Sequence, residues 1–392
     1  MVTPGDGARG PLDGLLVADF SRILAGPYAT MLMADLGAEV IKVEAPGGDD
    51  TRTWMPPVRE GVSTYYLAIN RNKRSISLDL KDPDDLALAQ ELAHRADIMI
   101  ENFKPGGLRR FGLDYASVSE RNAGVIYASI SGFGTADGAS LPGYDLLVQA
   151  ASGLMSLTGD PDGPGYRAGI SVFDVLTGTH AAIGILSALH HRDITGQGQR
   201  IEVNLLSSAL SALVNHTSAY VAGGVVPSRM GNAHPSLFPY EPLPTADKDL
   251  IVIAGNDGQF RALCRVLGLD ELPGDPRFAR SEDRTANRDE LRPILVDKLE
   301  QRSAEEWFAQ LSAAGVPCGP INHVDGGVAL AEKLGLDPVI EVGAGGDAVP
   351  MIRNPITLGA TPARHVLPPP RLDQHGAEVR AWLAQGETTS KH

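Results

Sequence analysis

Residues 15–44 read LLVADFSRILAGPYATMLMADLGAEVIKVE, and this stretch decides the fold class. Two short apolar runs, at 15–20 and 39–44, flank a helical pattern at 27–36. Pro27 stands where the first turn of a helix tolerates proline, and Gly37 stands where helices commonly end. A strand, a helix and a second strand in this order predict a crossover connection within a parallel sheet.

The same alternation continues beyond residue 44. Residues 74–80 have the period-two pattern of a strand. Residues 82–95 have the pattern of an amphipathic helix that opens with Asp-Pro-Asp-Asp, which places negative charge at its start. We therefore expect an α/β fold with a parallel sheet that carries helices on both faces. Further strands are predicted at 97–102 and 125–130, and further helices at 144–157, 175–191 and 205–221.

The length of 392 residues predicts two or three domains. Residues 1–9 have the composition of a loose tail. Residues 223–242 are rich in Gly and Pro and have no regular period, which predicts a domain boundary, and a second module begins at 250–254. The predicted division is a large domain at 1–222, a smaller α/β domain at 223–330 and a C-terminal segment at 331–392.

The composition excludes several classes of function. A net charge of −14 and an aromatic content of 5% argue against nucleic acid or an anionic membrane as the main partner. Cys264 and Cys318 are too few and too far apart for a disulfide framework or a cysteine-based zinc site. No leader opens the chain, and no unbroken apolar stretch reaches the ~20 residues that span a bilayer. The prediction is a soluble, cytoplasmic protein.

Motifs for nucleotide and metal chemistry are missing or misplaced. Gly5-Asp-Gly-Ala-Arg-Gly10 matches the dinucleotide fingerprint as text, but it precedes the first predicted strand and Pro11 follows it. There is no Walker phosphate loop, no His-Glu-x-x-His and no Gly-x-Ser-x-Gly. The ten histidines show no convincing ligand spacing. We therefore predict no metal centre and no ATP-driven activation.

One acidic residue, Asp174, interrupts the apolar stretch Arg167-Ala-Gly-Ile-Ser-Val-Phe-Asp-Val-Leu-Thr-Gly178, which opens a long apolar helix. Such a carboxylate can cap the helix by accepting hydrogen bonds from its first free N–H groups. It can also be a nucleophile that the same N–H groups keep ionised. The residues alone leave both roles open.

Two basic segments stand out against the acidic background: Asn70-Arg-Asn-Lys-Arg74 and Lys104-Pro-Gly-Gly-Leu-Arg-Arg110. The second follows a predicted strand, and open parallel sheets bind ligands at the carboxyl ends of their strands. Arg and Lys suit phosphates by charge and by forked hydrogen bonds. The turn at 20–27 leads into a helix and can hold an anion through backbone N–H groups. Together these segments favour a small polyanionic ligand, with ordinary solvated charge as the alternative for each.

Eight short motifs occur in order along the chain. They are Asp19-Phe-Ser with Ala25-Gly-Pro, Gly37-Ala-Glu-Val-Ile-Lys-Val-Glu44, Asn72-Lys-Arg-Ser75, Asp97-Ile with Glu101-Asn-Phe-Lys-Pro-Gly106, Ser131-Gly-Phe-Gly134, Asp174 with Thr177-Gly178, Thr195-Gly-Gln-Gly-Gln199, and Ala314-Gly-Val-Pro-Cys-Gly-Pro320. In this order and spacing the chain resembles the class III CoA-transferase family (CaiB/BaiF). That family includes formyl-CoA and carnitine CoA-transferases and also the α-methylacyl-CoA racemases.

The resemblance implies a site and an assembly. Asp174 is implied as the residue that accepts the acyl group, and coenzyme A enters as acyl-CoA substrate. The resemblance also implies an interlocked homodimer, with a Rossmann-like large domain built from both ends of the chain and a small domain inserted between them. The implied CoA contacts are Ile23, Asn72, Lys73, Arg74, Asn102, Phe103, Lys104 and Arg109.

The implied reaction moves CoA from an acyl-CoA to a carboxylic acid acceptor. A carboxylate can attack a thioester because the leaving thiol has a pKa near ~8.5 and departs as thiolate. Asp174 then forms a mixed anhydride and afterwards an aspartyl-CoA thioester. One thioester is exchanged for another, so no large energy input is needed, in agreement with the missing Walker loop.

Residues 143–145, Gly-Tyr-Asp, bear on the alternative activities. Racemases of the family carry Gly-His-Asp there, and an imidazole with a pKa near ~6.5 is a better base than a phenol near ~10. Transferases of the formyl-CoA type carry Tyr followed by an acid, so Tyr144 is interpreted as an acyl-side contact, or else as a packed residue at a helix start. An acyl-CoA racemase or epimerase is the alternative function. A non-catalytic CoA-binding protein is an alternative of another class.

Departures from the formyl-CoA branch bear on the substrate. This chain has Leu24, Ala45 and Pro142 where that branch has Gln, Arg and Lys. Where that branch has a Gly-rich loop before the first strand of the small domain, residues 229–240 read RMGNAHPSLFPY. These differences disfavour formate and oxalate and favour a larger acid, either a dicarboxylate such as succinate or a bulkier carboxylic acid. His234 is either close to the acyl group or an anchor of its own loop.

Overall fold

The computed structural model describes residues 10–385. The tail predicted at 1–9 lies outside these residues, as does all but the last residue of the match at 5–10. The strands, in chain order, are β1 (Leu16–Asp19), β2 (Glu39–Glu44), β3 (Val58–Arg59), β4 (Val62–Ser63), β5 (Lys73–Ser77), β6 (Ile98–Glu101), β7 (Ile126–Ser131), β8 (Gln199–Asn204), β9 (Tyr240–Pro244), β10 (Asp249–Ile253), β11 (Cys318–Pro320), β12 (Val339–Val342) and β13 (Val349–Ile352).

Helices occupy much of the remaining chain. In chain order they are α1 (Ala25–Asp35), α2 (Thr64–Ile69), α3 (Pro83–Arg95), α4 (Tyr115–Arg121), α5 (Asp145–Ala151), α6 (Leu154–Leu157), α7 (Val172–Thr195), α8 (Leu205–Ala212), α9 (Val214–Val221), α10 (Asp257–Leu267), α11 (Ser281–Ala286), α12 (Arg288–Leu299), α13 (Ala304–Ala313), α14 (Val324–Lys333) and α15 (Gly376–Ala384). Short 3₁₀ turns lie at Asp50–Thr53, Arg109–Phe111, Asp137–Ser140, Leu272–Gly274 and Gly345–Asp347.

Six strands form one sheet in the order β5-β2-β1-β6-β7-β8, and all five pairings are parallel. Val17 of β1 pairs with Val40 on one side and with Ile98 on the other. Strands β1 and β6 are almost completely buried, as expected of a parallel sheet with both faces covered. The predicted α/β fold with a parallel sheet is confirmed.

The chain forms two compact units. The first comprises the described parts of Met1–Ser152, Ala168–Gly224 and Asp337–His392, and the second comprises Gly153–Arg167 and Val225–Leu336. The sequence prediction placed the divisions at 223 and 331 and assigned residues 153–167 to the large domain. It therefore did not foresee that a short segment in the middle of the first unit belongs to the second.

The second unit has its own sheet and core. Its three strands are antiparallel in the order β11-β10-β9. Asn256 caps helix α10, because its side chain accepts a hydrogen bond from the Gln259 N–H, and the helix buries the apolar face that carries Phe260 and Leu263. Further core side chains come from strand β10, the other helices and a connecting segment: Phe238, Leu250, Leu291, Leu295, Trp307 and Leu311.

Two helices were predicted too long. The single helix expected at 144–157 is divided into α5 and α6, because Gly153 adopts φ +94°, a left-handed conformation that glycine reaches without a Cβ clash. The helix expected at 205–221 is divided into α8 and α9 at Val214, which has φ +38°. In both places a residue with positive φ interrupts the helix, and the spacing of apolar residues in the sequence does not reveal such an interruption.

Helix α7 is longer than predicted. It runs for 24 residues, and by length and composition it is able to cross a membrane, a test that the core helix of a soluble protein also passes. The prediction that no apolar segment is long enough was therefore wrong. Within the first unit α7 packs on α1, β7 and β8 and buries Phe173, Ala181 and Ile185.

Helices α1 and α7 approach each other closely at Gly178. A Cβ atom placed on Gly178 would lie 2.4 Å from the carbonyl oxygen of Ala25 in α1. Since the obstacle is backbone, the neighbour has little freedom to move aside. Glycine at this position therefore sets the spacing between the start of α1 and the second turn of α7.

Gly178→Ala should destabilise the protein by about 1–3 kcal/mol, the usual effect of overpacking a well-filled contact. Gly327→Ala provides a control of opposite sign, because Gly327 lies in α14, where an added Cβ atom would meet no other segment within 4 Å. There alanine should stabilise the helix by up to about 1 kcal/mol. Thermal unfolding of both variants tests the comparison, and an unchanged melting temperature for Gly178→Ala would contradict the close approach.

Candidate active site

The start of α7 is capped by a residue from another helix. The Asp145 carboxylate, at the first position of α5, accepts hydrogen bonds from the N–H groups of Phe173 (2.8 Å) and Asp174 (3.2 Å). The residue that precedes α7, Ser171, makes no side-chain capping bond. Of the two roles that the sequence left open for Asp174, capping of its own helix is therefore performed by Asp145.

Asp174 is half-buried, and its carboxylate accepts no hydrogen bond from any of residues 10–385. Burial removes water from the charged form, and the nearby Asp145 carboxylate adds like-charge repulsion. The two effects raise the pKa of Asp174 to about 7. A carboxyl group in this state changes its ionisation near neutral pH and keeps its lone pairs available to a ligand.

A buried glutamine fixes this arrangement. The Gln149 amide, which has no exposed surface, donates hydrogen bonds to the Asp145 carboxylate and to the carbonyl of Ile170 (3.1 Å), and its oxygen accepts one from the Ala168 N–H (2.8 Å). The segment that leads into α7 is thereby tied to α5. The position of Asp174 consequently depends on residues of two helices.

Tyr65 lies beside this carboxylate, although sequence reasoning did not select it. Its hydroxyl is hydrogen-bonded to the Ser171 side chain, and burial, with added repulsion from Asp174, raises the pKa of Tyr65. Its ring meets Trp54 edge-on at a centroid distance of 5.1 Å. The two rings line an open cavity of ≈540 Å³ together with Thr53, Met55, Pro56, Pro57 and Thr64. The sequence did contain a sign of this wall: aromatic residues cluster at 54–66 in a chain with only 5% aromatics.

Tyr144 is placed at the entrance to α5. It precedes Asp145 directly and is 60% exposed. The structure therefore does not bury it against a neighbour, and its ring remains accessible to a ligand.

Two of the predicted contact loops meet at the carboxyl ends of β1 and β6. The sheet order reverses between these strands, and such a switch point is where open α/β sheets bind ligands. The Asn102 side chain accepts a hydrogen bond from the Arg22 N–H (2.9 Å) and donates one to the Arg22 carbonyl (2.7 Å). The structure thus brings Ile23 next to Asn102 and Phe103.

The loop that follows β6 is cationic. Lys104 and Arg109 line a cavity of ≈190 Å³ with Glu101, Phe103, Tyr127 and Arg200. Neither Lys104 nor Arg109 forms an ion pair within residues 10–385. Two cations without a protein counter-ion at a switch point suit an anionic ligand.

The predicted contacts at 72–74 are engaged inside the protein. Lys73 has no exposed surface, and its ammonium donates to the Asp19 carboxylate (3.1 Å), the Pro27 carbonyl (2.8 Å) and the Asn70 amide oxygen (3.1 Å). A direct contact between Lys73 and a ligand does not fit this burial. The Asn72 side chain binds backbone groups of the C-terminal segment, and Arg74 pairs with Glu39 and Glu378.

No group of three or more His, Cys, Asp or Glu residues suited to a metal occurs among the described residues. His234 belongs to the second unit, where its Nδ1 accepts a hydrogen bond from the Ser236 N–H (3.1 Å) and its ring lies 5.0 Å from the Tyr240 ring. These contacts are the ones expected of a loop anchor.

Comparison with known proteins identifies the family. Residues 12–376 match CoA-transferase family III. The chain is 42% identical over 396 residues to the succinate–glutarate CoA-transferase of Agrobacterium fabrum, with 97% of each chain covered. It is 41% identical over 383 residues to the acetyl-CoA:oxalate CoA-transferase of Acetobacter aceti, again with 97% of each chain covered. The crystal structure of a CaiB/BaiF family protein from Brucella suis matches with a TM-score of 0.85 at 42% identity, over 96% of this chain and 100% of that chain.

The protein therefore belongs to CoA-transferase family III. The resemblance inferred from the eight motifs is confirmed, as is the prediction of a CoA-transferase that takes CoA thioesters as substrates.

Asp174→Asn should stabilise the folded protein at pH 8 by up to about 4 kcal/mol, and the gain should shrink as the pH falls. Because the pKa of Asp174 is raised to about 7 in the folded state, ionisation of this group favours the unfolded chain, where the pKa is ~3.9. The penalty is absent below the unfolded pKa, grows between the two values and is constant above the folded one.

Urea unfolding between pH 5 and pH 8 measures this dependence. Asp193→Asn is the matched control, because it removes an exposed carboxylate from the same helix. An equal gain for Asp174→Asn at both ends of the pH range would contradict the raised pKa.

Proposed function

We propose that the protein transfers CoA from an acyl-CoA to a carboxylic acid and that Asp174 is the nucleophile. The observation that carries the proposal is a carboxylate that accepts no hydrogen bond from the described residues, at the start of a helix whose own cap is supplied by Asp145. Membership of CoA-transferase family III supplies the reaction class.

In the proposed reaction, a carboxylate oxygen of Asp174 attacks the thioester carbonyl, and the carbon–sulfur bond breaks to release CoA thiolate. The product is a mixed anhydride. The thiolate then attacks the aspartyl carbonyl, expels the first acid as carboxylate and leaves an aspartyl-CoA thioester. The acceptor carboxylate repeats these steps in reverse and regenerates Asp174. Water must be kept out, since it would hydrolyse the anhydride.

The negative charge that develops in these steps needs donors. Helix α1 begins without a side-chain cap and without an acidic residue in its first turn, so no side chain occupies its leading N–H groups. Its first residue, Ala25, contacts α7 at Gly178, four residues after Asp174. We assign the start of α1 as the source of the donors that the reaction requires.

The proposed CoA contacts are the residues at the switch point. Ile23, Asn102 and Phe103 lie in the loops after β1 and β6, and Lys104 and Arg109 supply charge for the phosphates. Arg74, in β5, is kept among the proposed CoA contacts because part of its side chain is exposed. Lys73 supports the end of β1 and the first turn of α1 from inside the protein, whereas Asn72 holds the C-terminal segment.

Tyr144 is proposed to contact the acyl group, since it is exposed and precedes the residue that caps α7. For the acid, we propose a dicarboxylate. Two relatives at 41–42% identity are named for succinate and glutarate and for oxalate, which are all dicarboxylates. The departures at Leu24, Ala45 and Pro142 from the formyl-CoA branch favour the longer acids over oxalate.

We also propose the interlocked homodimer with a small domain inserted in a Rossmann-like large domain. Large apolar side chains remain exposed along and beyond α7, a pattern typical of a surface that another subunit covers. They include Ile183 (56% exposed), Ile194 (72%), Val214 (68%), Tyr220 (61%) and Val221 (81%). A monomeric mass in solution by light scattering would contradict this assembly.

Hydroxylamine added during incubation with an acyl-CoA should convert Asp174 into a hydroxamate, because it captures both the anhydride and the aspartyl thioester. Mass spectrometry of the peptide locates the label. Asp174→Asn should abolish the label and lower kcat by about a thousand-fold or more, whereas Asp193→Asn should change neither. The rate of labelling should rise with pH through about 7 as Asp174 ionises. Full turnover by Asp174→Asn would exclude the assignment.

A further inference from the structure

A chain of charged side chains lies completely inside the first unit, under the turn that joins β1 to α1. Asp19, Lys42 and Lys73 have no exposed surface, and Asp49 is 2% exposed. Lys42 pairs with Asp49 at 2.9 Å, and Lys73 pairs with Asp19 at 3.1 Å. Charges are removed from water only at considerable cost, so their retention calls for a purpose other than stability.

The turn at 21–24 is held at several backbone groups. The Lys42 ammonium donates to the carbonyl of Ser21 (3.1 Å). The N–H of Ile23 donates to both oxygens of Asp49, at 3.2 and 3.4 Å. The buried ion pair therefore holds the turn from its inner side, while Asn102 holds Arg22 from the other strand end.

Ile23 is in a strained conformation. Its φ is +69°, in the left-handed region, where a β-branched residue is a genuine outlier. Such strain persists only when the surrounding structure determines the conformation, and it concentrates at functional sites. The residue that determines it here is Asp49, because Asp49 binds the Ile23 N–H directly.

The same carboxylate fixes a second segment of the site. Asp49 accepts hydrogen bonds from the N–H and the hydroxyl of Thr51, at 3.0 and 2.7 Å, and so caps the 3₁₀ turn at Asp50–Thr53. Trp54 follows this turn and lines the cavity beside Tyr65. One buried side chain thus joins the turn that precedes α1 to the aromatic wall next to Asp174.

We infer that Asp49 is a positioning residue for acyl transfer: paired with Lys42, it holds Ile23 in its left-handed conformation and so aims the start of α1 at the reacting carbonyl. Asp49 contacts no substrate in this role and acts through the backbone of the turn. The inference rests on the proposed function, since it assigns to α1 the donors that acylation of Asp174 requires.

Two double variants separate the ion pair from the hydrogen bond to Ile23. The first combines Lys42→Met with Asp49→Asn, and the second combines Lys42→Met with Asp49→Leu. Each removes one positive and one negative charge, and both leave the Asp19–Lys73 and Glu44–Arg52 pairs in place. Only the asparagine keeps an acceptor for the Ile23 N–H. The readouts are the rate of hydroxamate formation on Asp174 at saturating acyl-CoA, and KM for acyl-CoA.

We expect the asparagine double variant to acylate within about five-fold of the natural protein and the leucine double variant to be at least about thirty-fold slower, with KM changed less than about three-fold in both. Equal rates for the two double variants, or an effect confined to KM, would overturn the inference. Absence of any label on Asp174 in the natural protein would instead overturn the proposed function itself.

A second comparison does not require both buried charges to be removed. Glycine adopts the left-handed conformation without strain, so Ile23→Gly should make the turn less dependent on Asp49. Asp49→Leu removes the acceptor for the Ile23 N–H and leaves Lys42 unpaired in both backgrounds, so the effect of the unpaired charge cancels in the comparison. We expect Asp49→Leu to slow acylation by a factor at least about ten times larger when residue 23 is isoleucine than when it is glycine. A purely structural role for Asp49 predicts the same factor in both backgrounds, and that result would reject the positioning role.

Discussion

The contact between the Asp145 carboxylate and the first N–H groups of α7 determines the chemistry of the site. A helix start needs acceptors for its free N–H groups, and an acidic residue in the first turn would normally supply one. Because Asp145 reaches in from α5, the Asp174 side chain is not used for this purpose. Burial raises the pKa of Asp174, and the same contact adds a second negative charge close by, so a structural requirement of α7 raises this pKa further.

The buried charges under the β1–α1 turn fix a backbone conformation and add little to stability. Burial lowers the pKa of Lys73 to about 8 although Asp19 opposes the change, whereas Asp19 itself, beside two lysines, keeps a pKa below its ordinary value. Such pairs contribute little net stability, because desolvation offsets their attraction. They do, however, hold the backbone of the turn at 21–24 in one conformation. Apolar residues of the same volume would fill the space but would leave the Ser21 carbonyl and the Ile23 N–H without partners.

The fold class was predictable from sequence because each strand and helix of residues 15–44 carries its own periodicity. The role of Asp145 was not, since it bonds Phe173 from 28 positions away and such a contact leaves no local pattern. The basic cluster at 70–74 has the composition of a loop, whereas Lys73 begins β5 and is buried in the interior. The sequence did single out Asp174 as a candidate, because a lone acid in an apolar stretch is unusual, whereas Tyr65 and Trp54 gave only the weaker signal of clustered aromatic residues.

The acidity of Asp174 also bears on the direction of the proposed reaction. In the mixed anhydride, thiolate can attack either carbonyl, and the weaker base leaves faster. An ordinary substrate carboxylate has a pKa near ~4, whereas that of Asp174 is raised to about 7, so the substrate carboxylate is the better leaving group. In the proposed reaction, this difference would direct thiolate to the aspartyl carbonyl, so that the aspartyl-CoA thioester forms instead of acyl-CoA. Burial beside Asp145 would thus favour the forward step as well as strengthen the nucleophile.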